Sequence, residues 1–136
     1  TRKAKILSVG DSRAYLIDEQ GKWQQITQDH SILSELLADF PDKKEEDFAT
    51  IYGGVSSCLV ADYSEFQDKI FYQEIEVQQG ESLLLCSDGL TDGLSAEVRE
   101  KIWKQYDNDK SRLTIYRKLI EKQRFYDDLS VIICAF

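Results

Sequence analysis

Three short apolar runs in this chain meet an aspartate: "ILSVGD" closes on Asp11, "LLLCSD" closes on Asp88, and "QRFYDD" leads through Asp127 into "LSVIICAF". Aspartate is a poor strand residue and a good turn former, so a turn explains any one of them. Three at strand ends carry more weight, because a compact sheet fold can bring their carboxylates to one end. Carboxylates brought together repel, and a hard divalent cation with oxygen ligands, Mg²⁺ or Mn²⁺, relieves that repulsion. Asp92 stands just beyond Asp88, after a glycine turn in the same stretch, "SDGLTDG".

Other site chemistries find little support. The chain has one histidine and three separated cysteines (Cys58, Cys86, Cys134), with no C-x-x-C pair. A zinc site built on His and Cys is therefore not expected, nor is a disulfide framework. The cysteines, each among apolar neighbours, read as reduced core residues. His30, in "TQDHSI", stands at the approach to a helix and reads as structural.

The elements that must position the aspartates follow from the apolar pattern. "AKILSVGDSRAYLID" alternates, turns through "DEQGK" and resumes in "KWQQIT", a hairpin pattern with two strands at the start of the chain. Ile32, Leu33, Leu36, Leu37 and Phe40 recur at helical spacing behind Ser31 as N-cap, giving a short helix that stops at Pro41. "PDKKEED" reads as a solvated loop, and Gly53 with Gly54 as a turn or bulge before a short apolar strand. "KIFYQEIEVQQGESLLLCSDG" gives two strands about "QQGE", the second apolar enough to be buried on both faces. Val98, Ile102, Trp103 and Tyr106 define one helix, and Leu113, Tyr116, Leu119 and Ile120 another. "DDLSVIICAF" closes the chain as a strand of the sheet interior. No linker or repeat divides the sequence, so one α+β unit is expected over residues 1–136.

With 42% hydrophobic residues over 136 positions, the chain can bury a core without staples. A formal charge of -8 argues against a nucleic-acid partner, which requires clustered Lys and Arg. No apolar stretch approaches the roughly 20 residues of a membrane span, and "TRKAK" runs directly into a strand pattern without a signal-peptide core. A cytoplasmic protein with no membrane partner is the expectation.

Three family patterns compete for the aspartates. "VGDSR" superficially resembles the G-D-S block of the SGNH esterases, with Ser12 as nucleophile, but nothing after His30 supplies that family's C-terminal Asp-x-x-His. "LLLCSDGLTD" is similar to the strand-end motif of haloacid-dehalogenase phosphatases, but the nucleophilic aspartate would fall at Cys86. The third pattern accounts for every block in order: "SVGDSRAYL", "ITQDHS", "LLLCSDGLTDGLS" and "DDLSVIIC" together resemble the C-terminal half of the metal-dependent PPM (PP2C-type) serine/threonine phosphatases.

That resemblance implies an antiparallel β-sandwich flanked by helices, in α-β-β-α layers. It implies a centre of two or three Mn²⁺ or Mg²⁺ ions, with Asp88 and Asp127 as ligands of one metal. Asp11 matches the position that helps hold a more weakly bound third ion, and Asp92 an acid of the same loop that acts through water. Gly10, Ser12, Arg13 and Gly89 take turn-shaping or supporting roles, and Asp128 stands where the family usually has Asn. The family's metals polarise a bridging water that attacks phosphorus without a phosphoenzyme, so no protein nucleophile is required and the partner is a phosphoprotein substrate.

Two departures set further expectations. The family's N-terminal Arg, acid and D-G-x-G-G motif do not occur here, so a fragment lacking the N-terminal half is expected, with an incomplete metal centre and little or no turnover by itself. The compact middle, "FPDKKEEDFATIYGGVSSC", replaces the family's flap and leaves substrate preference unread. Open sheet edges in such a fragment imply self-association. The alternative is a non-catalytic phosphatase-like domain that binds proteins, its aspartates surviving as turn formers.

Overall fold

The computed structural model describes residues 1–48, 54–58 and 70–136. Among them the chain runs β1 (Arg2–Ser8), β2 (Arg13–Ile17), β3 (Trp23–Gln25), α1 (Ile32–Asp39), a 3-10 turn (Glu45–Asp47), β4 (Phe71–Val77), β5 (Ser82–Cys86), α2 (Asp88–Gly93), α3 (Ala96–Gln105), α4 (Asp109–Ile120) and β6 (Val131–Ala135). One sheet pairs β1 with β4, and the other runs β3-β2-β5-β6. Every strand pairing is antiparallel.

The hairpin read through "DEQGK" is present as β2–β3. Asp18 holds its turn, its Oδ1 accepting from the Lys22 amide at 2.8 Å while its carbonyl accepts from Gly21 at 2.9 Å. The alternating stretch before it is not one strand. At Gly10 the backbone takes φ +101°, which only glycine adopts without strain, and the chain leaves one sheet for the other. β4 and β5 are likewise consecutive in sequence but lie in different sheets.

Register sorts the four-stranded sheet into two faces. Tyr15 pairs with Leu84, which pairs with Ile133, and these point the same way as Ile17, Cys86 and Val131. That face meets Leu90, Leu94, Ile102, Trp103, Tyr116 and Ile120 from α2, α3 and α4 in a single core cluster. Each fully buried Leu or Ile side chain there contributes about 1.5–3 kcal/mol relative to exposure. Trp23 closes one side, edge-on to Trp103 at 5.7 Å and to Tyr116 at 6.4 Å. The helices begin where capping chemistry dictates: Ser31, Ser95 and Asn108 each accept a hydrogen bond from an amide in the first turn.

The opposite face, with Ala14, Leu85 and Ile132, looks toward β1 across an open cleft of about 450 Å³ lined from both sheets. Several sequence expectations change here. β5 is not buried on both faces along its length, since Leu85 is 44% exposed on the cleft side. β6 is an edge strand rather than an interior one, with Ile132 61% exposed, because apolar density reports what a strand would bury and not what lies beside it. Cys86 is a core residue, but Cys58 and Cys134 are exposed. "PDKKEED" contains a short 3-10 turn. The turn-and-strand reading at Gly53 and Gly54 falls largely outside the described residues; Val55 makes a bridge to Ser31. No helix among the described residues is long and apolar enough to cross a membrane.

Candidate metal centre

Asp88 does not sit in a glycine turn. It opens the six-residue helix α2, with Ser87 at the N-cap position. Ser87 makes no capping bond with its side chain. Its hydroxyl instead donates to the Asp128 carbonyl at 3.0 Å and accepts from the Ser130 amide at 3.1 Å. The Ser87 amide donates to the Ser130 carbonyl at 3.0 Å. Three hydrogen bonds thus staple the end of β5 to the segment that leads into β6.

Gly89 completes this junction. A Cβ built there would lie 2.4 Å from the Asp128 carbonyl oxygen and 3.3 Å from that of Asp127. The two segments that carry Asp88 and Asp127 therefore touch backbone to backbone, which no larger residue at position 89 permits. Each carboxylate is also held locally: Asp88 Oδ1 accepts from the Gly89 amide at 2.9 Å, and Asp127 Oδ1 from the Asp128 amide at 2.7 Å. Asp92, at the other end of α2, shares a cleft of about 380 Å³ with Gly89 and Asp127.

Asp11 arrives from the β1–β2 turn. Gly10 donates its amide to His30 Nδ1 at 3.1 Å, and the His30 amide donates to the Gly10 carbonyl at 2.8 Å. The bond to Nδ1 leaves the ring proton on Nε2. His30 thus fixes the turn that presents Asp11, the structural role expected of it. Ser12, exposed beside Asp11, accepts at its carbonyl from the Ser8 hydroxyl at 3.3 Å. Arg13 starts β2 and grips Asp29: Nε lies 2.9 Å from both carboxylate oxygens, and Nη2 also bonds Oδ2. That hydrogen bonding raises the guanidinium pKa above its usual value despite the opposing cost of burial.

The charges at this end of the molecule act on one another. Partial burial of the Asp92 carboxyl raises its pKa, the charges of Asp88, Asp11 and Asp29 raise it further, and Arg13 opposes them. Asp92 thus feels both its partial burial and the acids around it, with Arg13 offsetting part of their charge. Among the described residues, however, no three His, Cys, Asp or Glu side chains close on one point tightly enough to hold a metal ion. The acids share a region without forming a finished coordination shell. Their donor chemistry fits Mn²⁺ or Mg²⁺, which take oxygen ligands and keep water in several positions.

Two contributors were not assigned roles from the sequence. Asp29 lies in the "ITQDHS" block, and only the fold pairs it with Arg13. Ser87 occupies the N-cap position of α2, yet its hydroxyl turns to a loop more than forty residues away.

Two antiparallel sheets, with helices against the outer face of one, define an α+β sandwich. No protein-family model matches the chain. It is 35% identical over 99 residues to the serine/threonine phosphatase stp of Listeria innocua, an alignment covering 73% of this chain and 38% of that protein. The crystal structure of the Mycobacterium tuberculosis serine/threonine phosphatase PstP/Ppp superposes with a TM-score of 0.80 at 24% identity, over 96% of this chain and 54% of that one. The catalytic domain of PstP in complex with two manganese ions gives a TM-score of 0.72 at 22% identity, over 98% and 53%. The chain belongs to the PPM (PP2C-type) serine/threonine phosphatase family. It spans about half the length of these solved relatives and 38% of the curated one.

Proposed function

We propose that this chain is the part of a PPM-type phosphoprotein phosphatase that supplies Asp88 and Asp127 to a Mn²⁺ or Mg²⁺ centre, with Asp11 and Asp92 beside it. The observation that carries the proposal is the Ser87–Gly89 junction, where three hydrogen bonds and a glycine contact hold the Asp88 segment against Asp127 and Asp128. A turn-forming role alone requires no such apposition. The manganese-bound relative of like fold supports the choice of metal.

The chain's own residues would act by position. Asp88 and Asp127 keep one oxygen each on a neighbouring amide, which fixes the carboxylates so that the other oxygen can face a cation. Arg13 holds Asp29 and moderates the field on Asp92. Asp128 contributes its carbonyl to the staple and adds a further negative charge at the rim. When bound, two such ions supply Lewis acidity toward water and phosphate. The reaction proposed for the whole protein is hydrolysis of phosphoserine and phosphothreonine esters in the cytoplasm.

The share of its relatives that this chain spans supports a single PP2C-like domain to which further residues contribute ligands. The chain by itself is then inactive or weakly active. The open cleft between the sheets and the β6 edge support self-association of the isolated chain; a strict monomer in light scattering at high concentration would refute it.

Manganese titration by calorimetry tests the metal claim. The wild-type chain should give a binding isotherm that Asp88→Asn loses or weakens at least tenfold. Identical heats from the two proteins would leave the aspartates as turn formers in a protein-binding domain.

A further inference from the structure

The loop before Asp127 carries a feature that neither the core nor the metal reading uses. Phe125 is 80% exposed and Tyr126 is 59% exposed, two adjacent aromatics in a segment where turn residues would serve the fold equally well. Arg124 lies over the Phe125 ring, its guanidinium carbon 5.3 Å from the centroid. Gln123 pins the start of the loop, donating its side-chain amide to the Gly93 carbonyl and its backbone amide to Ile120 at 2.9 Å. The aromatics are thus displayed from an anchored base.

Their location gives them a use. Phe125 and Tyr126 line the cleft of about 380 Å³ that also holds Asp92 and Asp127. Tyr126 and Asp127 also line a second cleft of about 270 Å³, together with Arg117 and Leu129. The Tyr126–Asp127 step therefore borders both clefts. An extended peptide whose phosphorylated side chain enters the cleft beside Asp92 and Asp127 would run its neighbouring residues past Phe125 and Tyr126.

Resting on the phosphatase reading above, we propose that Arg124, Phe125 and Tyr126 form the rim that selects the substrate peptide. The two rings take a large apolar side chain adjacent to the phosphoserine or phosphothreonine, and Arg124, stacked on the Phe125 ring, adds positive charge to that of Arg117. Aromatic side chains at exposed sites with few rotamers are efficient contact residues of this kind, and the guanidinium complements an anionic peptide on a surface that would otherwise repel it.

The test uses the protein expressed from its full reading frame, loaded with Mn²⁺. The Phe125→Ala/Tyr126→Ala double variant is assayed on p-nitrophenyl phosphate and on two phosphoserine peptides, one with leucine and one with lysine next to the phosphoserine. We expect kcat/KM on the leucine peptide to fall at least tenfold more than on p-nitrophenyl phosphate, mainly through KM, and preference for leucine over lysine to disappear. Phe125→Tyr should restore it. Equal losses on all substrates, or a lowered Tm with no change in preference, would assign the aromatics to support of Asp127 and overturn the proposal. A wild-type protein that hydrolyses none of these substrates would overturn the phosphatase reading and this inference with it.

Discussion

Gly89→Ala separates two forces of opposite sign. Gly89 lies inside α2, where helix propensity alone makes alanine better by about 1 kcal/mol. The added methyl would sit 2.4 Å from the Asp128 carbonyl oxygen, roughly 1 Å inside an ordinary carbon–oxygen approach of about 3.3–3.6 Å. The helix cannot easily retreat: Leu90 is fully buried, and a Cβ at Gly93 would already lie 2.9 Å from Ile120. The loop can retreat only by giving up the Ser87 bonds to Asp128 and Ser130, each worth about 0.5–1.5 kcal/mol. The alternative, strain in a packed site, costs about 1–3 kcal/mol. Less the propensity gain, net destabilisation of about 0.5–2 kcal/mol is expected, which for a domain of this size lowers Tm by roughly 2–8 °C. Urea unfolding followed by the fluorescence of Trp23 and Trp103, both in or against the core, should show a midpoint lower by about 0.3–1 M. Gly54→Ala, where the nearest atom would be Ile32 Cδ1 at 4.0 Å, serves as the tolerant control. A Gly89→Ala midpoint at or above wild type would mean that the two loops are not in contact, and the argument for a shared metal centre would lose its structural basis.

Two further outcomes follow from the same geometry. Burial pushes the Cys86 thiol up to about 11 from its ordinary 9.0, so between those values the folded protein holds a proton that the unfolded chain has released. Stability contributed by the neutral thiol is present below pH 9 and is lost as pH rises toward 11, by up to about 1.4 kcal/mol per unit. Burial raises the Tyr116 hydroxyl pKa as well, so the thiol's share is the difference between wild type and Cys86→Ala in urea titrations at pH 8, 9.5 and 10.5; equal slopes in the two proteins would refute it. Asp29→Ala should leave the Arg13 guanidinium, 28% exposed at its side chain, without its carboxylate and cost about 2–3 kcal/mol. Asp29→Asn, which keeps an acceptor, should cost less, and a Tm unchanged in both variants would show that the pair contributes nothing.

The sequence by itself determined the local structure and the cast of residues. Ser31, Ser95 and Asn108 mark helix starts because short polar side chains satisfy first-turn amides wherever they occur. The 3.6-residue spacing marks the faces on which Ile102, Trp103, Tyr116 and Ile120 are buried, although Val98, read with them, is 37% exposed, and the order of four aspartate-bearing blocks identifies the family. These are properties of neighbours in the chain, and neighbours are what a sequence displays.

Tertiary structure alone decided what depends on distant segments meeting. β1 and β2 read as continuous alternation until a left-handed glycine sends them to different sheets, and β6 reads as an interior strand but lies at the sheet's edge among the described residues. Asp29 becomes the partner of Arg13, and Ser87 gives up its cap for a carbonyl at position 128, only after the hairpin and β5–β6 have formed. The apposition of Asp88 and Asp127 is of this kind, because the chain reaches one from the other only through three packed helices. Composition and spacing nominate the acids, but the energy that brings them together resides in a core cluster and three hydrogen bonds between residues remote in sequence.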